Sequence, residues 1–134
     1  MGFARTVRRP PLTSADFTNA WIDRDVVRAD LLRQMETYRV LICPVASVPA
    51  FRHGERQWTI DGHDVRYLDA MSYTQWFNIL GNPAAVVPVG TSPEGLPIGV
   101  QVVGRPFEEE LVLSVAAAIE AGCGGYRPPP ASVS

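Results

Sequence analysis

Apolar residues recur at Ile22, Val26, Ala29, Leu32 and Met35, with Asp and Arg between them. That three-to-four spacing predicts a helix over about 15–38, capped at its start by Ser14 with Asp16. The run VLICP breaks at Pro44 and reads as a short buried strand over about 39–43. PVASVPAFRHGERQWTIDGHDVR then forms a long polar connection, with Gly54 and Gly62 as turn points. Connections of this length usually carry function or wrap another part of the molecule. A helix over about 67–77 would place Leu68, Met71 and Gln75 on one face. Two valine-rich runs, over about 84–90 and 98–104, flank TSPEGLP, whose Pro93, Gly95 and Pro97 mark a tight turn. So short a link allows antiparallel pairing and excludes a parallel crossover. Finally, Leu111, Val115, Ala118 and Ile119 stripe a helix over about 107–121, with Glu108, Glu109 and Glu110 near its positive end. Gly122, Gly124 and Gly125 close it.

These elements make an α/β unit with a mixed sheet over about 15–127, preceded by a flexible lead-in over 1–14 and followed by a tail over 128–134. Nearly continuous apolar strands are expected where helices cover both faces of a sheet. Three strands leave two open edges, so a larger sheet is the better expectation. A core cut from such a sheet exposes apolar surface that invites dimerisation.

Composition narrows the possibilities without choosing among them. The 134 residues suffice for one domain, and 46% hydrophobic with 19% charged residues describe an ordinary globular chain. A net charge of −2 gives nucleic acid or an anionic membrane no electrostatic hold. Arg5, Arg8 and Arg9 form a short basic cluster that reads as solvated surface. No apolar run approaches the ~20 residues of a membrane span, and the N-terminus lacks a signal-peptide pattern. Cys43 and Cys123 flank no motif and read as free thiols, which points to a reducing, cytoplasmic setting.

The candidate chemistry is sparse. Asp61, His63 and Asp64, with His53 nearby in sequence, are metal-ligand types, but in a polar loop they read as solvated surface, and no metal is expected. No Gly-x-Ser-x-Gly elbow supports a Ser-His-Asp triad, and the glycine cluster at 122–125 follows a helix rather than opening one. The chain contains no lysine: all twelve of its basic residues are arginine.

One stretch is specific. NILGNPAAVVPVG followed by GLPIGVQVVGRPFEEELVL resembles the C-terminal segment of the amidase signature family. YRVLICPVASVPA resembles that family's strand-and-proline element, and AMSYTQWFN resembles the branch containing fatty-acid amide hydrolases. The resemblance covers about 15–130 and corresponds to roughly the last third of a typical member. Gly81 and Pro83 would shape the entry to a strand, Gly95 a turn with positive φ, and Gly99 a close backbone approach. Asn78 and Gln101, polar among apolar neighbours, would need hydrogen-bond partners.

The resemblance implies hydrolysis of carboxylic amides by a serine nucleophile, a second serine and a lysine base, without metal or organic cofactor. Backbone N–H groups would hold the oxyanion. None of this maps onto the chain. Its seven serines (Ser14, Ser47, Ser72, Ser92, Ser114, Ser132 and Ser134) include no adjacent pair, and a lysine is absent. No catalytic residue is therefore assigned, and the chain is expected to be an inactive C-terminal portion of such an enzyme. The implied substrate-binding positions are Leu68, Met71 and Gln75. Amidotransferase relatives carry an acid where Met71 stands, so Met71 points to an apolar or neutral amide. Core packing would explain the same stripe. The alternative role is a binding or assembly module that complements a separate catalytic chain or forms a homodimer.

Overall fold

The computed structural model describes residues 11–126 and 128. The expected lead-in before residue 11, with its arginine cluster, and the tail beyond 128 lie outside the described residues. The elements are α1 (Ser14–Gln34), β1 (Val40–Pro44), β2 (Gln57–Ile60), β3 (His63–Arg66), α2 (Tyr67–Ala70), α3 (Ser72–Leu80), β4 (Ala84–Thr91), β5 (Pro97–Gly104) and α4 (Glu109–Gly122).

Helix α1 starts one residue earlier than the sequence suggests. Thr13 is its N-cap, and Thr13 with Asp16 forms a reciprocal capping box. The helix ends at Gln34, and Met35 behind it is fully buried. The first part of the expected apolar face points outward, with Ile22 and Val26 more than half exposed, while Leu32 is half-buried. What α1 turns toward α3 is polar. Arg24 Nε donates to Ile79 O at 2.7 Å and Arg28 Nε to Leu80 O at 2.8 Å. These guanidinium groups satisfy carbonyls that the last turn of α3 leaves open. Gly81, at φ 73°, completes that cap in the left-handed region.

The main sheet has the order β1-β5-β4, antiparallel throughout. The hairpin anticipated around TSPEGLP is present, with Gly95 at φ 82°. A bulge between Pro88 and Gly90 lets proline sit in β4, at the sheet's edge, where a missing N–H costs nothing. Helix α4 packs on β4 and β5, and Val87, Val102, Val112 and Ala116 form the buried core between them. The opposite face carries Val103 and Gln101, both buried. Gly104 lies against α4, and a Cβ there would overlap Val112 Cγ2.

Two features of the middle segment differ from the expectation. The long connection contains a second, two-stranded sheet, β2 with β3. Asp61 and Gly62 turn it, both at positive φ (50° and 78°), which is the backbone of a type I′ hairpin. The helix expected over 67–77 is broken at Met71, whose ψ of 9° ends α2, and α3 then runs on to Leu80. Among the described residues no helix is long and apolar enough to cross a membrane.

Candidate functional site

The strand β1 ends at Pro44, and the chain then runs through the bent segment 45–51 beside the β4–β5 hairpin. Two open hollows, of about 740 and 760 Å³, share Ser47–Phe51 and Glu94 in their walls. One reaches the β2–β3 hairpin at Trp58 and Ile60. The other is bounded by Met71, Val86, Pro88, Ile98 and Tyr126. Together they make a mostly apolar groove, the kind of surface that accepts an uncharged ligand body with few polar anchors.

The far wall is built by aromatic packing. Phe51 meets Trp58 edge-on at 4.9 Å and Tyr67 at 6.1 Å, and Arg56 lies 5.0 Å from the Tyr67 ring centroid. These contacts fasten the small hairpin onto the segment, so the connection is ordered despite its polar composition. Its signal in the sequence was Asp61-Gly62 between the alternating runs Trp58–Ile60 and His63–Val65, a pattern that marks a two-residue hairpin turn.

Of the three residues proposed to meet substrate, Met71 stands in the groove wall, half-buried. Leu68 is 65% exposed and lies outside the residues lining either hollow. Gln75 is exposed, and its Nε2 donates to Leu68 O at 3.0 Å. That bond crosses the break at Met71 and ties the two short helices together. Segment Val45–Phe51, Val86, Pro88 and Glu94 also line the groove and were not singled out from the sequence.

The charged residues in the groove walls are Arg52, Glu55 and Glu94. The Glu94 carboxylate is exposed, and a hydrogen bond from Ser92 holds its pKa below the usual range. Cys43 is half-buried, and burial pushes its thiol pKa up, away from the thiolate a nucleophile needs. Asp64 accepts from Thr59 Oγ1 at 3.0 Å on the exposed hairpin. Among the described residues no group of three His, Cys, Asp or Glu side chains could hold a metal ion.

The polar residues expected to need partners divide. Gln101 is 2% exposed, and its Nε2 donates to Pro44 O at 2.8 Å and to Tyr73 O at 3.1 Å. Asn78 instead lies exposed on α3. Its place inside the fold is taken by Asn82, which donates to Gly104 O at 2.8 Å. Sequence spacing identifies a polar residue near the helix end but not which of the two turns inward.

A family model described as Amidase matches residues 7–113. The chain is 38% identical over 130 residues to a glutamyl-tRNA(Gln) amidotransferase subunit from Acidobacterium capsulatum, covering 90% of this chain and 26% of that relative. It is 34% identical over 119 residues to a fatty acid amide hydrolase of Medicago truncatula, covering 84% of this chain and 19% of the relative. Among solved structures, an amidase crystal structure superposes with a TM-score of 0.77 at 29% identity, over 84% of this chain and 26% of that one. The chain thus spans about a quarter or less of the length of these relatives.

Proposed function

Since the chain belongs to the amidase signature family, we propose that it forms the C-terminal part of an amide-hydrolysing scaffold and turns over no amide by itself. The observation that carries this reading is the pairing of a family-specific Gly/Pro framework with a sequence that has no lysine and no adjacent serines. The family's scheme needs a serine nucleophile, a second serine to pass the proton, and a neutral lysine to receive it. Groups of this kind act as a unit, so a scaffold without them loses the covalent route altogether.

In this reading the groove wall at Met71, with Leu68 and Gln75 on the adjoining turns, faces the substrate of the assembled enzyme. A thioether there suits an apolar or neutral amide, because burying a charged substrate group against it leaves that charge unpaired. Neither a metal nor an organic cofactor takes part, and the setting is cytoplasmic. The test is direct. The purified chain is incubated with simple, aryl and fatty amides and with glutamine, and free amine or ammonia is measured. No release above the buffer rate is expected, and reproducible turnover that co-purifies with the chain would refute the reading.

A second reading is favoured by the apolar surface left open on α1 and around Trp76 and Val86. Here the chain is an assembly module for a separate polypeptide that carries the serines and the lysine. Finding such a polypeptide bound to the chain in its native host would favour this version over a single continuous enzyme.

A further inference from the structure

We propose that Gln101 is the positioning residue of the groove, a single buried carboxamide that fixes its two walls relative to each other. Its Nε2 reaches Pro44 O, the residue immediately before the Val45–Phe51 wall, and Tyr73 O, two residues beyond Met71 in the adjoining wall. Both contacts are backbone carbonyls, which only accept, so the atom between them is the amide nitrogen and not the oxygen. One NH2 group has two hydrogens, and two carbonyls receive them.

The position admits few substitutes. The residue is 2% exposed, so a lysine would bury a charge without a counter-ion. Asparagine is one methylene shorter and cannot span both carbonyls from the same strand position. An apolar side chain would fill the volume and take away the donor that Pro44 O and Tyr73 O share, loosening the link between the two elements. Pro44 is the last residue of β1 and Tyr73 lies in the first turn of α3, so the carboxamide joins the end of one element to the start of another. A second link runs alongside. Ser47 N–H donates to Ala70 O at 2.9 Å, joining the same two walls without involving Gln101. That bond reports on whether the walls stay in place.

This inference rests on reading the groove as substrate-facing, but its test measures geometry and not turnover, so the two fail separately. In Gln101→Met the volume is kept and both donors are lost. Hydrogen exchange at the Ser47 amide should then accelerate about tenfold relative to the Val102 amide in the core strand. With methyl-labelled methionine, the Met71 resonance should shift while Met35, buried beyond Asn82, stays in place. Unchanged Ser47 exchange, or a rise matched at Val102, would overturn the proposal. Should Gln101→Met fail to fold, the wild-type chain still decides. The Gln101 side-chain NH2 protons should exchange at least about tenfold more slowly than those of the exposed Gln34. Equal rates would dismiss the clamp.

Discussion

Gly104 offers a quantitative test of how the sheet and α4 are fitted together. A Cβ at this position would overlap Val112 Cγ2 and lie 3.6 Å from Glu108 O and 3.7 Å from Pro83 Cγ. Valine in a helix is confined to essentially one χ1 rotamer, so Cγ2 cannot swing aside, and α4 or β5 must move. Overpacking of this kind costs roughly 1–3 kcal/mol, against which the lower entropy of an unfolded alanine returns about 0.4–1. Gly104→Ala should therefore destabilise the chain by about 1–2 kcal/mol. Val112 is 2% exposed. Val112→Ala loses its methyl burial and leaves a small cavity, costing about 2 kcal/mol. In the double variant the new methyl of residue 104 enters the space that Val112 vacates. The two costs should then fall short of their sum by about 1 kcal/mol or more. Urea unfolding followed by circular dichroism gives all four corners of the cycle, provided the m-values agree. A neutral Gly104→Ala, or costs that add within a few tenths of a kcal/mol, would refute the close-approach argument.

Thr13→Ala removes the capping box of α1 and should lower its helicity, seen as weaker far-ultraviolet dichroism and faster exchange at Asp16 and Phe17. The hydrogen bonds from Thr13 depress the Asp16 carboxyl pKa. Their contribution is thus complete above the ordinary carboxylate pKa and is lost as pH falls through the lowered folded value. The gap between wild type and variant should therefore narrow in acid to the part carried by the Asp16 N–H bond to Thr13 Oγ1, which does not titrate. A gap that does not narrow as the pH falls below the carboxylate range would count against the Asp16 half of the box. Cys123 is exposed and Cys43 half-buried with a raised pKa, so Cys123 should react with a neutral-pH alkylating reagent well before Cys43. Peptide mapping that finds Cys43 modified first would count against the burial assigned to it.

The hairpin around Gly95, the strand at VLICP and the existence of α4 were legible because each is decided locally, but the residues that α4 buries are Val112 and Ala116, neither in the expected stripe, and Ala118 of that stripe is exposed. Valine alternates or runs where a sheet is covered, and TSPEGLP admits few turn geometries. The glycine at 99 was legible for a related reason: a Cβ there would stand 3.1 Å from Val86 Cγ1 and from Val87 O. Helix α1 was legible as a helix and not in its orientation. Periodicity reveals a stripe at Ile22, Val26 and Ala29, but it is silent on which side a neighbour occupies. The neighbour is held by Arg24 and Arg28, residues that a hydropathy pattern assigns to solvent. The break at Met71 was likewise hidden, since residues 68, 71 and 75 keep helical spacing on both sides of it. The groove depends on Val45–Phe51 lying beside the hairpin, a long-range arrangement that no window of sequence contains.

The orientation of α1 links the fold to its proposed role. A helix normally turns its apolar stripe inward and meets water with its charges. Here no α1 residue is fully buried. Trp21, under the Arg24 guanidinium at 4.6 Å, is 48% exposed, and Val26 is 58% exposed. Two polar bonds to the end of α3 hold the helix in place while the first part of its apolar stripe, Ile22 and Val26, lies exposed. An arrangement of this kind is stable only modestly on its own, because exposed stripes contribute nothing to the burial that stabilises a domain. It becomes favourable when something covers them. On the proposed reading, that cover is the rest of an amide-hydrolysing domain, consistent with a solved amidase in which the matched part is 26% of the chain. The α4 side of the sheet does not depend on such a cover. There, Val87, Val102, Val112 and Ala116 are sealed by elements within the described residues, and there the segment has a core of its own to fold around.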